Sequence, residues 1–213
     1  MKKLLLLLSL LTIISFNAEA QKASKGKNKK AETEKEVLVK PAAPTLKSKT
    51  INVDNSTITW KAYKVTGEHQ GDLKIKSGEL QFAEDILVGG SFVIDMTTIN
   101  TTDLEGEWKD KLDGHLKSAD FFDIANHETA TLKITKVAAK GTLGDYKIMG
   151  DLTIKGTTAP IKFYANIGDK EAKADVKVDR TEYNIQYGSG SFFDSLGDKT
   201  IYDEFDLTIS LSF

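Results

Sequence analysis

The chain has no cysteine, one arginine, three prolines and three histidines in 213 residues, and each scarcity excludes something. Without thiols there is no disulfide framework, no cysteine-based zinc site and no lipid-modified cysteine after the N-terminal apolar run. The histidines, His69, His115 and His127, fall in no H-x-H or H-E-x-x-H spacing, so the sequence gives no metal centre. Lysine plus arginine number 29 against 31 acids, a net charge of -2 that carries no nucleic-acid signature. The apolar run Leu4 to Phe16 falls short of the roughly 20 residues a membrane-spanning helix needs. At 40% hydrophobic and 28% charged residues, the chain is neither collagenous nor mostly disordered.

What is present begins with export. Lys2 and Lys3 precede the apolar run, and Ala18-Glu19-Ala20 is a small-x-small site just beyond it. This pattern predicts a secretory signal over residues 1–20, cleaved after Ala20, and a periplasmic or secreted product with no transmembrane span. Residues 21–49 carry nine lysines and three glutamates with few large apolar side chains, and read as a flexible lysine-rich linker at +6. The lysines lack amphipathic period, so a solvated spacer is the preferred reading over a lipid-headgroup or cell-wall ligand. The remainder, residues 50–213, is a domain at -9.

Within that domain period-two alternation recurs. Phe205, Leu207, Ile209, Leu211 and Phe213 alternate with Asp206, Thr208, Ser210 and Ser212, one buried face against one wet face. The same pattern marks Ile58 to Ala62, Phe92 to Met96, Leu132 to Ile134, Tyr146 to Ile154 and Ile161 to Ile167. Glycines between the runs suit hairpins and meanders, so a parallel Rossmann-like sheet is not expected. One interruption, residues 102–118, places Leu104, Trp108, Leu112, His115 and Leu116 at helical spacing after a candidate N-cap at Thr102 or Asp103. The predicted fold is all-β with about eight strands and a short helical insert. A barrel or a sandwich satisfies the pattern, and a barrel of that size either fills its interior or holds one small ligand.

No catalytic set emerges. Gly188-Ser189-Gly190-Ser191 is neither G-x-S-x-G nor G-x-G-x-x-G, and reads as a flexible loop without a cofactor motif. Asp110 to Gly114 lacks the alternating oxygen ligands and distant glutamate of a calcium loop. Glu84-Asp85 and Asp203-Glu204 read as solvated turn residues.

Three stretches in order carry a resemblance: HLKSADFFD from His115 to Asp123, GDLTIKGTT from Gly150 to Thr158, and VDRTEY from Val178 to Tyr183. From about Thr57 to Phe213 the chain resembles the YceI-like family of exported polyisoprenoid-binding proteins. The resemblance implies an eight-stranded antiparallel, extended lipocalin-like barrel with a helical insert, no catalytic residue, no cofactor, and a bound isoprenoid lipid, a polyprenyl chain or a quinone tail. It also implies a homodimer, although no coiled-coil heptad is visible. Asp54-Asn55-Ser56 stands where the family has a histidine-serine pair, and Thr181-Glu182-Tyr183 follows the arginine in place of Asp-Phe-Gly, which leaves the ligand's identity open.

Under that resemblance the inward strand residues become candidate lipid contacts: Trp60, Phe92, Ile94, Met96, Leu132 and Ile134, then Ile148, Leu152, Phe163, Phe205 and Leu207. Leu112, Leu116, Phe121 and Phe122 of the insert would gate the barrel or plug its end. His115, Lys117 and the single arginine, Arg180, are candidate headgroup contacts, since charged donors suit phosphate oxygens. Burying a CH₂ contributes about 0.8 kcal/mol, so each five-carbon unit contributes about 3–4 kcal/mol. Three units begin to offset an association cost of about 4–15 kcal/mol, and binding needs no polar motif. The alternative is a structural module of the cell envelope with a protein or glycan partner.

Overall fold

The computed structural model describes residues 45–213; the expected signal segment 1–20 and most of the expected linker, 21–44, lie outside the described residues. Nine strands and one α-helix follow in order: β1 (Leu46–Thr50), β2 (Thr57–Lys64), β3 (Gly67–Ala83), β4 (Ile86–Thr101), α1 (Gly106–Lys117), β5 (Thr129–Ala139), β6 (Asp145–Ile154), β7 (Thr157–Ile167), β8 (Glu171–Asp179) and β9 (Ile201–Ser212). Strands β2 to β9 pair antiparallel in chain order, and β9 returns to β2. The result is a closed up-and-down barrel of eight strands, which decides against the sandwich and leaves no free edge around most of the circumference.

β1 is the ninth strand and corrects the linker boundary, because residues 46–49 belong to the sheet. It pairs with Glu79–Ala83, on the same edge of β3 that β2 occupies from Gly67 to Leu73. Its side chains are almost all exposed, so no alternation betrays it.

β3 also shows no simple period, for a different reason. Leu73 and Ile75 point inward at odd positions, and Leu80 and Phe82 at even ones. The register against β4 shifts between Ile75 and Ser77, a bulge that reverses the parity of everything after it. Gly71 and Gly78 therefore lie inside a strand and do not mark turns. A Cβ at Gly71 would stand 2.0 Å from the Asn100 carbonyl oxygen and 2.6 Å from the Trp60 ring; these glycines allow close approach of neighbours.

The helix is shorter than the predicted 102–118. It begins after Glu105, whose side chain makes no cap bond, and neither Thr102 nor Asp103 is the N-cap. Trp108, expected on the apolar stripe, is 71% exposed beneath the Lys111 ammonium. Leu112 and Leu116 carry the inner face. Asp113 and Lys109 fasten the helix to the barrel: the Thr101 amide donates to Asp113 at 2.8 Å, and Lys109 donates to Asn100 at 2.6 Å.

The interior packs at its two ends. At the helix end, Leu116, Phe121, Phe122 and Ile124 cluster with Trp60, Met96, Ile99 and Ile154 of the strands. At the opposite end, Leu80, Phe82, Leu87, Tyr146, Ile167 and Leu211 form a second cluster.

Candidate functional site

Between the two clusters the barrel is hollow. Ile94, Phe163, Leu207 and Ile209 contact both clusters and point inward, yet each is only partly buried. A core side chain in a filled barrel would have no accessible surface left; here the remaining surface faces a void. One chamber of about 110 Å³ lies toward the end opposite the helix and a second of about 100 Å³ lies beneath it. Ile58, Ile94, Leu152 and Leu207 line both, so the chambers adjoin across these four side chains. A water needs on the order of 10–15 Å³, but an apolar cavity of this kind stays dry.

The first chamber owes its room to small side chains on one side of the barrel. Ala165 pairs with Ala174, and Ile167 pairs with Ala172, where the other strands offer Ile, Leu or Phe. At about 24 cal/mol per Å³, leaving both chambers empty costs on the order of 5 kcal/mol, comparable with the whole stability of a small domain. That cost is recovered when an apolar occupant fills them.

The structure places the predicted contacts as follows. Phe92, Ile94, Leu132, Ile134 and Ile148, with Leu152, Phe163 and Leu207, wall the first chamber. Trp60, Met96, Leu116, Phe121, Phe122 and Phe205 wall the second. Leu112 packs behind the helix-end cluster and borders neither. Sequence reasoning did not nominate Ile161, Ala165, Ala172, Ala174 or Val176, which also line the first chamber. Alanine alternation on β8 carried the signal for three of them.

Of the headgroup candidates only Arg180 reaches a chamber wall. It is 2% exposed and committed to the protein itself. Nε donates to the Tyr202 carbonyl at 3.2 Å, Nη1 to Ile185 at 2.7 Å, and Nη2 to Ile201 at 3.0 Å and to the Asp203 carboxylate at 3.4 Å. A guanidinium has five N–H groups, so one remains. The Phe121 ring lies 5.7 Å from its carbon. Burial pulls the Arg180 pKa below its ordinary value, against the pull of Asp203 and Asp179. For Asp203 burial acts to raise the pKa, but hydrogen bonds from Ser189 and Ser191 and the Arg180 charge outweigh it and hold the carboxyl below its usual range. Asp203 is thus an ion-pair partner inside β9, not a solvated turn residue.

His115 and Lys117 border neither chamber. The His115 ring meets Tyr187 edge-on at 4.4 Å and Phe121 at 5.5 Å, and its Nε2 is buried without a partner. Among the described residues no group of three His, Cys, Asp or Glu is placed to hold a metal, and no helix is long and apolar enough to cross a membrane.

A closed antiparallel barrel with one helix over its end and a carbon-walled hollow has the lipocalin-like architecture. Residues 49–213 match the YceI-like domain, and the chain belongs to that family. A UPF0312 protein of Vibrio cholerae is 36% identical over 84 residues, 39% of this chain and 42% of that protein. Protein YceI of Escherichia coli is 35% identical over 103 residues, 44% of this chain and 52% of that protein. The chain therefore spans about half the length of these curated relatives. Among solved structures, Burkholderia cenocepacia BcnA superposes with a TM-score of 0.61 at 17% identity, covering 76% of this chain and 98% of that one. A polyisoprenoid-binding domain from Saccharophagus degradans superposes with a TM-score of 0.55 at 14% identity, covering 79% and 97%. At these identities the two structures establish the shared fold.

Proposed function

We propose that this protein binds the apolar chain of an isoprenoid lipid inside its barrel and stores or carries it without chemical change. The observation that carries the reading is the hollow itself, a pair of adjoining chambers whose inward side chains keep unburied carbon surface between two packed ends. Apart from Lys173, whose ammonium pairs with Glu171 at the surface, and Tyr202, its walls are carbon and a single guanidinium already engaged by carbonyls, which suits holding a chain and not cutting one. The structural neighbour described as polyisoprenoid-binding supports the same ligand class. We place the protein outside the cytoplasm, exported by residues 1–20, with transport or storage in the periplasm or secreted fluid as its role. The homodimer implied by the family resemblance belongs to this proposal as well.

Organic extraction and mass spectrometry of protein purified from its native host are expected to release a long-chain isoprenoid. Purified protein is also expected to take up a twenty-carbon isoprenoid alcohol, with a change in Trp60 fluorescence. Protein that is empty in every preparation and takes up no such alcohol overturns the reading.

A further inference from the structure

The barrel wall is interrupted at two seams: β4 and β5 stop pairing beyond Gly90↔Ile134, where the Leu87 amide donates to the Tyr146 hydroxyl instead, and β7 and β8 part toward the helix end. β7 and β8 pair only from Tyr164↔Asp175 to Ile167↔Ala172, although β7 continues against β6 back to Thr157 and β8 continues against β9 out to Asp179. Continued in register, the next pairs would be Phe163 with Val176, Lys162 with Lys177, Ile161 with Val178 and Pro160 with Asp179. The sequence opposes that pairing. Lys162 would face Lys177, a like-charge cross-strand pair, and Pro160 has no N–H to give. Lys177 turns instead to Asp206 at 2.8 Å and Glu204 at 3.6 Å on β9. The inward residues of the split, Ile161, Phe163 and Val176, are walls of the first chamber, so the hollow reaches the seam from inside.

Toward the helix end the split is filled by the segment that follows β8. Its short 3-10 turn, Arg180–Tyr183, and the next residues place Tyr183 and Ile185 among Ala159, Val176 and Val178. The segment is fastened to one side. Arg180 ties it to Ile201 and Tyr202 of β9, whereas its one hydrogen bond to β7 among the described residues runs from Asn184 Nδ2 to Thr157 Oγ1 at 3.0 Å. Both barrel ends carry clusters of buried side chains. Widening the split beyond Tyr164↔Asp175 breaks no ladder bond, and of the helix-end cluster it displaces Tyr183 and Ile185 from Ala159 while the rest stays packed.

We propose that the split between β7 and β8 is the side portal through which the apolar ligand enters and leaves, with residues 180–187 as its cover, an inference that rests on the lipid-binding reading above. The isoprenoid threads tail-first between Phe163 and Val176 while Arg180 keeps the cover attached to β9.

The absence of native cysteine makes the test clean. Lys162→Cys with Lys177→Cys, bridged in the folded protein by a short dimaleimide, holds the two strands at fixed separation. Exchange of a twenty-carbon isoprenoid alcohol, followed by Trp60 fluorescence, is expected to slow at least about tenfold. The amount bound at equilibrium is expected to stay that of the unbridged protein, which also verifies the fold. Each single cysteine variant capped with the same reagent is expected to exchange at the parent rate. A control bridge at the helix end, Lys155→Cys with Ala119→Cys, joins residues whose side chain and carbonyl lie 2.7 Å apart and is expected to leave the rate unchanged. A parent that loads normally but exchanges at the same rate with the seam bridged, or is slowed by the helix-end bridge alone, overturns the portal and spares the lipid-binding reading. A parent that never loads overturns both.

Discussion

Ala174 shows how much a single inward position decides. It lies on β8 opposite Ala165 and next to the first chamber, and its methyl group leaves space that a larger residue would occupy. Ala174→Phe is expected to abolish uptake of a twenty-carbon isoprenoid alcohol while leaving the thermal midpoint within a few degrees of the parent, because the new ring fills a void. Stoichiometry by native mass spectrometry and a melting curve check the two halves. Arg180 is the opposite case, a residue whose surroundings are full. Its scarcity singled it out in the sequence, but nothing there revealed that the backbone carbonyls of Ile185 and of Ile201 and Tyr202 on β9 would claim its donors. Arg180→Met leaves those carbonyls buried and unpaired and is expected to cost about 3 kcal/mol, read from the urea midpoint. The inward strand residues were legible because alternation assigns a face. The headgroup candidates His115 and Lys117 were not, since which side of a short helix meets a chamber depends on packing that no local period encodes.

At the scale of elements, the clearest strands in the sequence were those with one uninterrupted parity, such as β6 and β9. β3 escaped because its bulge switches parity midway, and β8 because its inward residues are small. β1 escaped because it buries almost nothing. The helix was visible, but Trp108 was assigned to the wrong side: the tie between Asp113 and the Thr101 amide turns Leu112 and Leu116 inward and leaves the indole outside. The turn after β8 carries its own titration. Burial pushes the Tyr183 phenol up to about 12, above its ordinary value near 10. A group raised in the folded state contributes stability that is complete below the unfolded pKa and lost as pH rises through the folded one. Stability is therefore expected to fall between about pH 10 and 12 through this residue, and Tyr183→Phe is expected to flatten that limb in urea midpoints measured against pH.

For the whole molecule, the acid limit is set mainly at one end. Burial acts to raise Asp103 and Asp113, but hydrogen bonds from Gln70 and His69 to the first, and from Lys109 and Thr101 to the second, hold both below the ordinary carboxylate range. Asp203 is held low in the same manner, and Asp206 by hydrogen bonds from Lys177 and Tyr63. Carboxyls depressed in the folded state stabilise it above the unfolded pKa near 4 and lose that contribution as pH falls through their folded values. Amide exchange in acid below about pH 4 is expected to quicken first in α1 and the start of β9, ahead of the strands' opposite halves. Finally, β1 sets which way the molecule faces when held. Leu46 lies against Ala83, at the pole away from α1, so a bead or fluorophore attached ahead of Leu46 joins at that pole. Protein immobilised by such a handle would present α1 to the surrounding solution, leaving it free to meet whatever flows past.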